Sequence, residues 1–182
     1  MLGLKGLRVL EWTDPKTALC GKLLADMGAE VVLVEPPTGV ALRMAPPCAQ
    51  GSQESLLFWH TAANKRSLNL DLATDEGREV LLDLIKNVDI ILDPFTPAER
   101  ASLDLTEKML FATNPGLILA SISGFGQSGP FCNYASSDIV GAAMSGLMSL
   151  TGKPDEEPLT PPALQPSQIA SIWATLAIQG AV

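Results

Sequence analysis

Residues 6–35 read GLRVLEWTDPKTALCGKLLADMGAEVVLVE, and this stretch decides the fold class. Gly6 to Glu11 reads as a short strand. Thr13 or Asp14 then stands as an N-cap, with Pro15 at the first helical position. Proline is tolerated there because the first amides of a helix have no intrahelical acceptor. The helix is expected over Lys16 to Met27 and stops at Gly28; Glu30 to Glu35, EVVLVE, reads as the next strand. Strand, helix and strand within about 30 residues make a βαβ unit, which implies parallel strands joined by a right-handed crossover.

The pattern continues on either side of proline-rich loops. Pro36, Pro37, Pro46 and Pro47 bracket a loop carrying Arg43, and Ser55 to Ala63 predicts a helix that packs Leu57, Phe58 and Trp59. Asn64-Lys65-Arg66 precedes a strand over Ser67 to Leu70 that ends at Asp71. Thr74 caps a helix over Asp75 to Asn87, whose acidic first turn suits the helix dipole. A strand over Asp89 to Leu92, a proline-bracketed loop at Pro94 and Pro97, a helix over Thr106 to Thr113 and a strand over Leu117 to Ile122 complete the set. Five strands alternating with helices predict an α/β fold, a Rossmann-like open and mostly parallel sheet with helices on both faces. Ligands in such sheets sit at the carboxyl ends of the strands, here the segments near Thr13, Arg43, Asp71, Phe95 and Ser123. Residues 1–152 form the expected core domain. Residues 153–182 read as an acidic, proline-rich linker and the start of a helix that continues into the rest of a longer fold.

The stretch from Ala120 to Gly152, ASISGFGQSGPFCNYASSDIVGAAMSGLMSLTG, joins a strand to a helix over Ile139 to Leu150 through Gly124, Gly126 and Gly129. Ser137 or Asp138 can cap that helix. Gly124 to Gly129 satisfies G-x-G-x-x-G, but Pro130 interrupts the start of any helix. The nearest following acid, Asp138, comes nine residues after Gly129, so the segment is not a nicotinamide-binding fingerprint.

The net charge of −8, from 12 basic and 20 acidic residues, argues against nucleic acid as a partner. Although 47% of residues are hydrophobic, no apolar run reaches membrane-spanning length, and the N-terminus has no signal-type core. Cys20, Cys48 and Cys132 are odd in number without metal-like spacing, which fits a reducing cytoplasm. His60 is the one histidine, so no multi-histidine metal site is expected. Trp12, Trp59 and Trp173 read as core or interface anchors, and Asp155-Glu156-Glu157 as a solvated acidic loop.

In order and spacing, GLRVLEW, LLADMGAEVVLVEPP, NKRSLNLDL, NPGLILASISGFGQSGP and AMSGLMSLTG resemble the family III CoA-transferases, a group that includes formyl-CoA transferase, carnitine-CoA transferase and α-methylacyl-CoA racemase. The resemblance covers essentially all 182 residues and corresponds to about the first half of a family chain. It implies CoA or acyl-CoA as substrate without a metal, interlocked ring-like dimers, and a cytoplasmic or organellar location. It further implies covalent transfer. An aspartate carboxylate attacks the thioester, a mixed anhydride gives way to an aspartyl thioester, and the group passes to an acceptor acid. The racemase branch instead exchanges a proton α to the thioester with a His/Asp pair.

By the same resemblance, the family's tyrosine-or-histidine position falls at Ser137 and its aspartate, about 30 residues on, at Ser167. After Glu157 the sequence holds no Asp, Glu or His, so no shift of register supplies the carboxylate. Other family positions depart as well. Lys16-Thr17-Ala18 replaces an Ala-Gly-Pro turn, Ala73 a lysine and Ala142 a glutamine. Pro94-Phe95-Thr96-Pro97-Ala98 stands for a CoA-contacting Asn-Phe-Arg-Pro-Gly loop, and Ser102 for an arginine, with Arg100 close by. Arg43, Asn64, Lys65, Arg66 and Phe95 match and are the candidate CoA-binding residues; Lys65 and Arg66 read equally as a solvated turn. Losing one lysine and one arginine removes charge-assisted contacts of about 1.5–3 kcal/mol each, which weakens binding on the order of a hundredfold or more.

These observations give a family III CoA-transferase domain that is a catalytically degenerate half or subunit of a larger enzyme. Its expected partners are a second copy or a second CoA-transferase domain. The alternative is a non-catalytic acyl-CoA-binding or dimerisation module. A third reading, chemistry by Asp138 or Ser167 themselves, stands beside these; Asp138 reads more simply as a helix cap.

Overall fold

A computed structural model of the protein describes residues 3–182. Its strands are β1 (Arg8–Trp12), β2 (Glu30–Glu35), β3 (Lys65–Asn69), β4 (Ile90–Asp93) and β5 (Ile118–Ser121). They form one sheet in the order β3-β2-β1-β4-β5, every neighbouring pair parallel. The order reverses direction between β1 and β4, which makes their carboxyl ends the switch point of the sheet.

Alternation along the strands divides the core. Val9, Val31, Ile90 and Leu92 face α1 (Pro15–Asp26) and α7 (Gln165–Ala181), where they meet Cys20, Leu24 and Ile178. Leu10, Trp12, Val34 and Ile91 face the opposite layer, α3 (Asp75–Ile85) and α5 (Glu107–Thr113), and pack on Leu81, Ile85 and Leu110. Each fully buried leucine or isoleucine contributes about 1.5–3 kcal/mol. A third cluster joins Ala18 and Leu33 to Leu42 and to Phe58 of α2 (Leu56–Ala62).

The expected sheet, with helices on both faces, is therefore present, and the differences are local. An additional helix, α4 (Pro97–Ser102), begins at the second of the two prolines that bracket the loop at Pro94 and Pro97. Thr96 and Glu99 form a reciprocal capping box and Pro97 occupies the first turn. Strand β3 starts at Lys65, two residues earlier than expected, because Asn64 turns the chain in the left-handed region, φ 65°. The helix expected over Ile139 to Leu150 divides into α6 (Asp138–Met144) and a short 3-10 segment at Leu147–Leu150. Gly146, at φ 79°, cannot continue an α-helix and makes the break.

Helix α7 packs along α1, and its orientation is unusual. Its buried residues are Ser167, Ser171, Thr175 and Ile178, three of them hydroxylic, while Ile169, Ile172, Trp173 and Leu176 face outward. The small hydroxylic face lets the helices approach closely: Ser171 Oγ donates to Lys16 O of α1, while Thr175 Oγ1 is satisfied within α7 by Ser171 O. Of the three tryptophans, Trp12 is buried, whereas Trp59 and Trp173 are exposed.

Candidate functional site

A cavity of about 310 Å³ opens beyond the carboxyl ends of β1 and β5, on the α1/α7 side of the sheet. Asp14, Lys16, Ile122, Ser123, Ser137, Asp138 and Ser167 are among its lining residues. The first turns of α1, α6 (Asp138–Met144) and α7 converge there. Asp14 caps α1 by accepting from Lys16 N at 2.9 Å, and its carboxylate also pairs with Lys16 Nζ at 2.9 Å. Gly124 brings the loop after β5 against Ser136 so closely that a Cβ would lie 2.1 Å from the serine Cβ. Only glycine permits that approach.

Asp138 does not cap its own helix. It lies in the first turn of α6, and Ser137, the N-cap residue, makes no side-chain cap bond. Asp138 instead reaches across the cavity to the first turn of α7. Its Oδ1 accepts from Ser167 N at 3.0 Å and from Ser167 Oγ at 2.7 Å. Helix α7 needs this help. Its N-cap Leu164 and the preceding Ala163 are left-handed, at φ 54° and 61°, with no side-chain cap of their own. A carboxylate at a helix N-terminus is favoured by both the free amides and the dipole. Ser167 is thus a hydrogen-bond donor facing a carboxylate that belongs to another helix.

A second cavity, of about 330 Å³, lies across the switch point and is lined by Trp12, Thr13, Glu35, Asp71, Ala73 and Phe95, among others. Phe95 packs its ring on Trp12, with centroids 5.4 Å apart. Among the five residues expected to bind CoA, Phe95 alone lines this pocket, and none of the five lines the first. Arg43 is held by both oxygens of Glu35, at 2.7 Å each, and lies 4.3 Å over the Phe58 ring. Asn64 Nδ2 donates to Asp26 Oδ1 at 2.8 Å. Lys65 is buried, its Nζ donating to Glu11 Oε2 at 2.7 Å and to Ala18 O at 2.8 Å. Arg66 is exposed on edge strand β3 and lines a groove with Ala29 to Val32 and Asn64, away from the strands' carboxyl ends. Strand pairing explains the split between Lys65 and Arg66: their neighbours in β2 are Val31 and Val32, whose side chains point to opposite faces.

Two cations, Lys65 and Arg100, are held in buried charge pairs. Burial raises the Glu11 carboxyl to about 7, with Lys65 acting in the opposite direction, and burial lowers the Lys65 ammonium. Hydrogen bonding from Arg43 holds Glu35 below the ordinary carboxylate range. Arg100, close to the family's missing arginine, is turned inward. Its guanidinium donates to Asp93, to Ser121 Oγ at 2.8 Å, to Gln127 Oε1 at 3.1 Å and to Glu107 Oε1 at 2.7 Å. Burial pushes the Asp93 carboxyl upward, against the Phe95 amide and Arg100. Gln127 in turn donates to Phe95 O at 3.0 Å, tying the glycine loop to the Phe95 segment. Sequence reasoning missed this network. Its trace was an acid, Asp93, ending an apolar strand, and Arg100 seven residues later.

Among the described residues, no three His, Cys, Asp or Glu side chains converge as a metal site, and no helix is long and apolar enough to cross a membrane.

The protein is thus an open parallel α/β sheet with a cavity at its carboxyl ends, bordered by a glycine loop and by two helices joined through Asp138 and Ser167. The chain belongs to CoA-transferase family III, whose family model matches residues 4–182. It is 37% identical to the succinate–glutarate CoA-transferase of Agrobacterium fabrum, over 98% of this chain and 46% of that protein. It is 34% identical to the succinyl-CoA–L-malate CoA-transferase alpha subunit of Chloroflexus aurantiacus, over 97% of this chain and 42% of that protein. A solved structure of a CAIB/BAIF family protein from Brucella suis superposes with a TM-score of 0.90 at 33% identity, covering 98% of this chain and 48% of that one. The chain thus spans about half the length of the relatives it matches.

Proposed function

We propose that this chain is a CoA-transferase family III domain that binds an acyl-CoA in the cytoplasm without attacking it, and that a second family III domain or subunit supplies the nucleophilic aspartate. One observation carries the reading. At Ser167, where the family resemblance expects the nucleophile, both the amide and the hydroxyl donate to Asp138 Oδ1. Asp138 is the cap here, and Ser167 is spent as its hydrogen-bond donor rather than held as a nucleophile. The other acid in the cavity, Asp14, is engaged in capping α1 and pairing with Lys16. Residues 158–182 contain no Asp, Glu or His to take over.

Association has its own support. Ile169, Ile172, Trp173 and Leu176 recur at helical spacing and form an apolar stripe on α7, with Trp173 67% exposed. Large exposed apolar patches mark interaction surfaces. A second copy of the chain and a different family III chain both meet this need.

Mass-tagged acyl-CoA incubated with the chain, followed by intact-mass analysis and calorimetric titration, tests the proposal. Reversible binding without a covalent adduct is expected. An acyl or CoA adduct on Asp138, Asp14 or any other carboxylate of this chain would overturn it.

A further inference from the structure

Resting on the acyl-CoA reading above, we propose that the acyl group this chain accommodates is short, apolar and uncharged. The dicarboxylic groups named in its relatives, succinyl and glutaryl among them, are disfavoured. The electrostatics of the cavity carry the inference. Lys16 is the one lysine or arginine among the lining residues, and its ammonium lies 2.9 Å from Asp14 Oδ1. Among the described residues Asp138 has no cationic partner; its Oδ1 accepts only from Ser167. Two carboxylates against one ammonium leave the cavity one negative charge in excess.

The cations that might have neutralised a second substrate carboxylate are engaged elsewhere. Lys65 is bound to Glu11, Arg43 to Glu35, and Arg100 to Asp93 and Glu107. None of the three lines this cavity or the one beside it.

Next to the acidic cavity lies a smaller one of about 60 Å³, with Pro15 and Leu164 as a common wall. Its remaining lining is Ala18, Leu19, Leu42, Leu57, His60, Thr61 and Gln168. The aliphatic side chains offer the tail of an acyl group a dry surface with room for a few carbon atoms. A terminal methyl suits that surface. A terminal carboxylate would give up water there for aliphatic contacts and meet no lysine or arginine.

Butyryl-CoA and succinyl-CoA carry four-carbon acyl groups that differ at the far end, methyl against carboxylate. Calorimetric titration of the full chain with each, at pH 8, tests the proposal. Butyryl-CoA is expected to bind at least about tenfold more tightly, equivalent to about 1.4 kcal/mol. Asp138→Asn keeps the acceptor for Ser167 but removes the charge. It is expected to strengthen succinyl-CoA binding by about threefold or more and so to narrow the gap to butyryl-CoA. Equal or tighter binding of succinyl-CoA by the parent chain overturns the substrate class while leaving the acyl-CoA reading intact. Binding of neither ester overturns both. A failure of Asp138→Asn to narrow the gap would refute the electrostatic cause.

Discussion

Gly21→Ala is a small change with a large expected effect. Gly21 is buried in α1, directly over the Glu11–Lys65 pair. A Cβ there would lie 1.7 Å from Glu11 Oε2, 2.8 Å from Glu11 Cδ and 2.9 Å from Lys65 Nζ. Neither partner has room to withdraw: the Glu11 side chain is 0% exposed and that of Lys65 1%. Glu11 Oε1 already lacks a hydrogen-bond partner. The methyl therefore separates the carboxylate from the ammonium without admitting water. Breaking a buried pair costs about 3–5 kcal/mol. Alanine returns about 1 kcal/mol through its better helix propensity. The net loss is about 2–4 kcal/mol, or about 1–2 M in the urea midpoint at a slope near 2 kcal/mol per M. The control is a change of sign. When Glu11→Ala and Lys65→Met remove both obstructing side chains, Gly21→Ala should stabilise that background by up to about 1 kcal/mol. A midpoint for Gly21→Ala within about 0.5 kcal/mol of the parent would refute the reasoning, as would an equal loss in both backgrounds.

Three further outcomes are expected. Arg100→Met strands the buried Asp93 carboxylate and should cost about 3–5 kcal/mol at pH 8. Burial raises the Asp93 carboxyl, so the folded state binds its proton more tightly than the unfolded chain does. Stability is then lost as pH rises, and denaturation of the variant at pH 5 should show a smaller deficit; a pH-independent deficit would contradict this. Glu35 has the opposite sign. Its carboxyl is lowered by Arg43, so its contribution is present above the ordinary glutamate range and lost as pH falls through its folded value. Glu35→Gln should flatten the acid limb of the stability profile, by about 1 kcal/mol once screening at the half-exposed Arg43 is discounted. Ser167→Ala keeps the amide bond to Asp138 but loses the hydroxyl one at 2.7 Å. The thermal midpoint should fall by about 3–6 °C, corresponding to about 1.5 kcal/mol; an unchanged midpoint would mean that the hydroxyl contributes nothing to the cap.

The sheet was legible because its signals are local. Asp14 and Pro15 start α1, and Thr74 with an acidic turn starts α3. Apolar runs bounded by glycine and proline are almost unambiguous as strands of a parallel sheet. Where local signals were read too coarsely, the structure differs. The capping box at Thr96 and Glu99 was there to be seen behind the prolines, and Gly146 was there to stop α6.

The candidate site was legible only as a list of residue types. Sequence alone established the family, the parallel sheet and the absence of any acid or histidine after Glu157. It could not say where each charge would point. Whether Lys65 faces solvent or Glu11 depends on a one-residue register within β3, because successive side chains leave a strand on opposite faces. Whether Asp138 caps its own helix or another depends on how α6 meets α7, 29 residues away along the chain. Capping and strand formation are decided within a few residues, whereas the pairing of buried charges is decided by which elements pack together, and that only the tertiary structure determines.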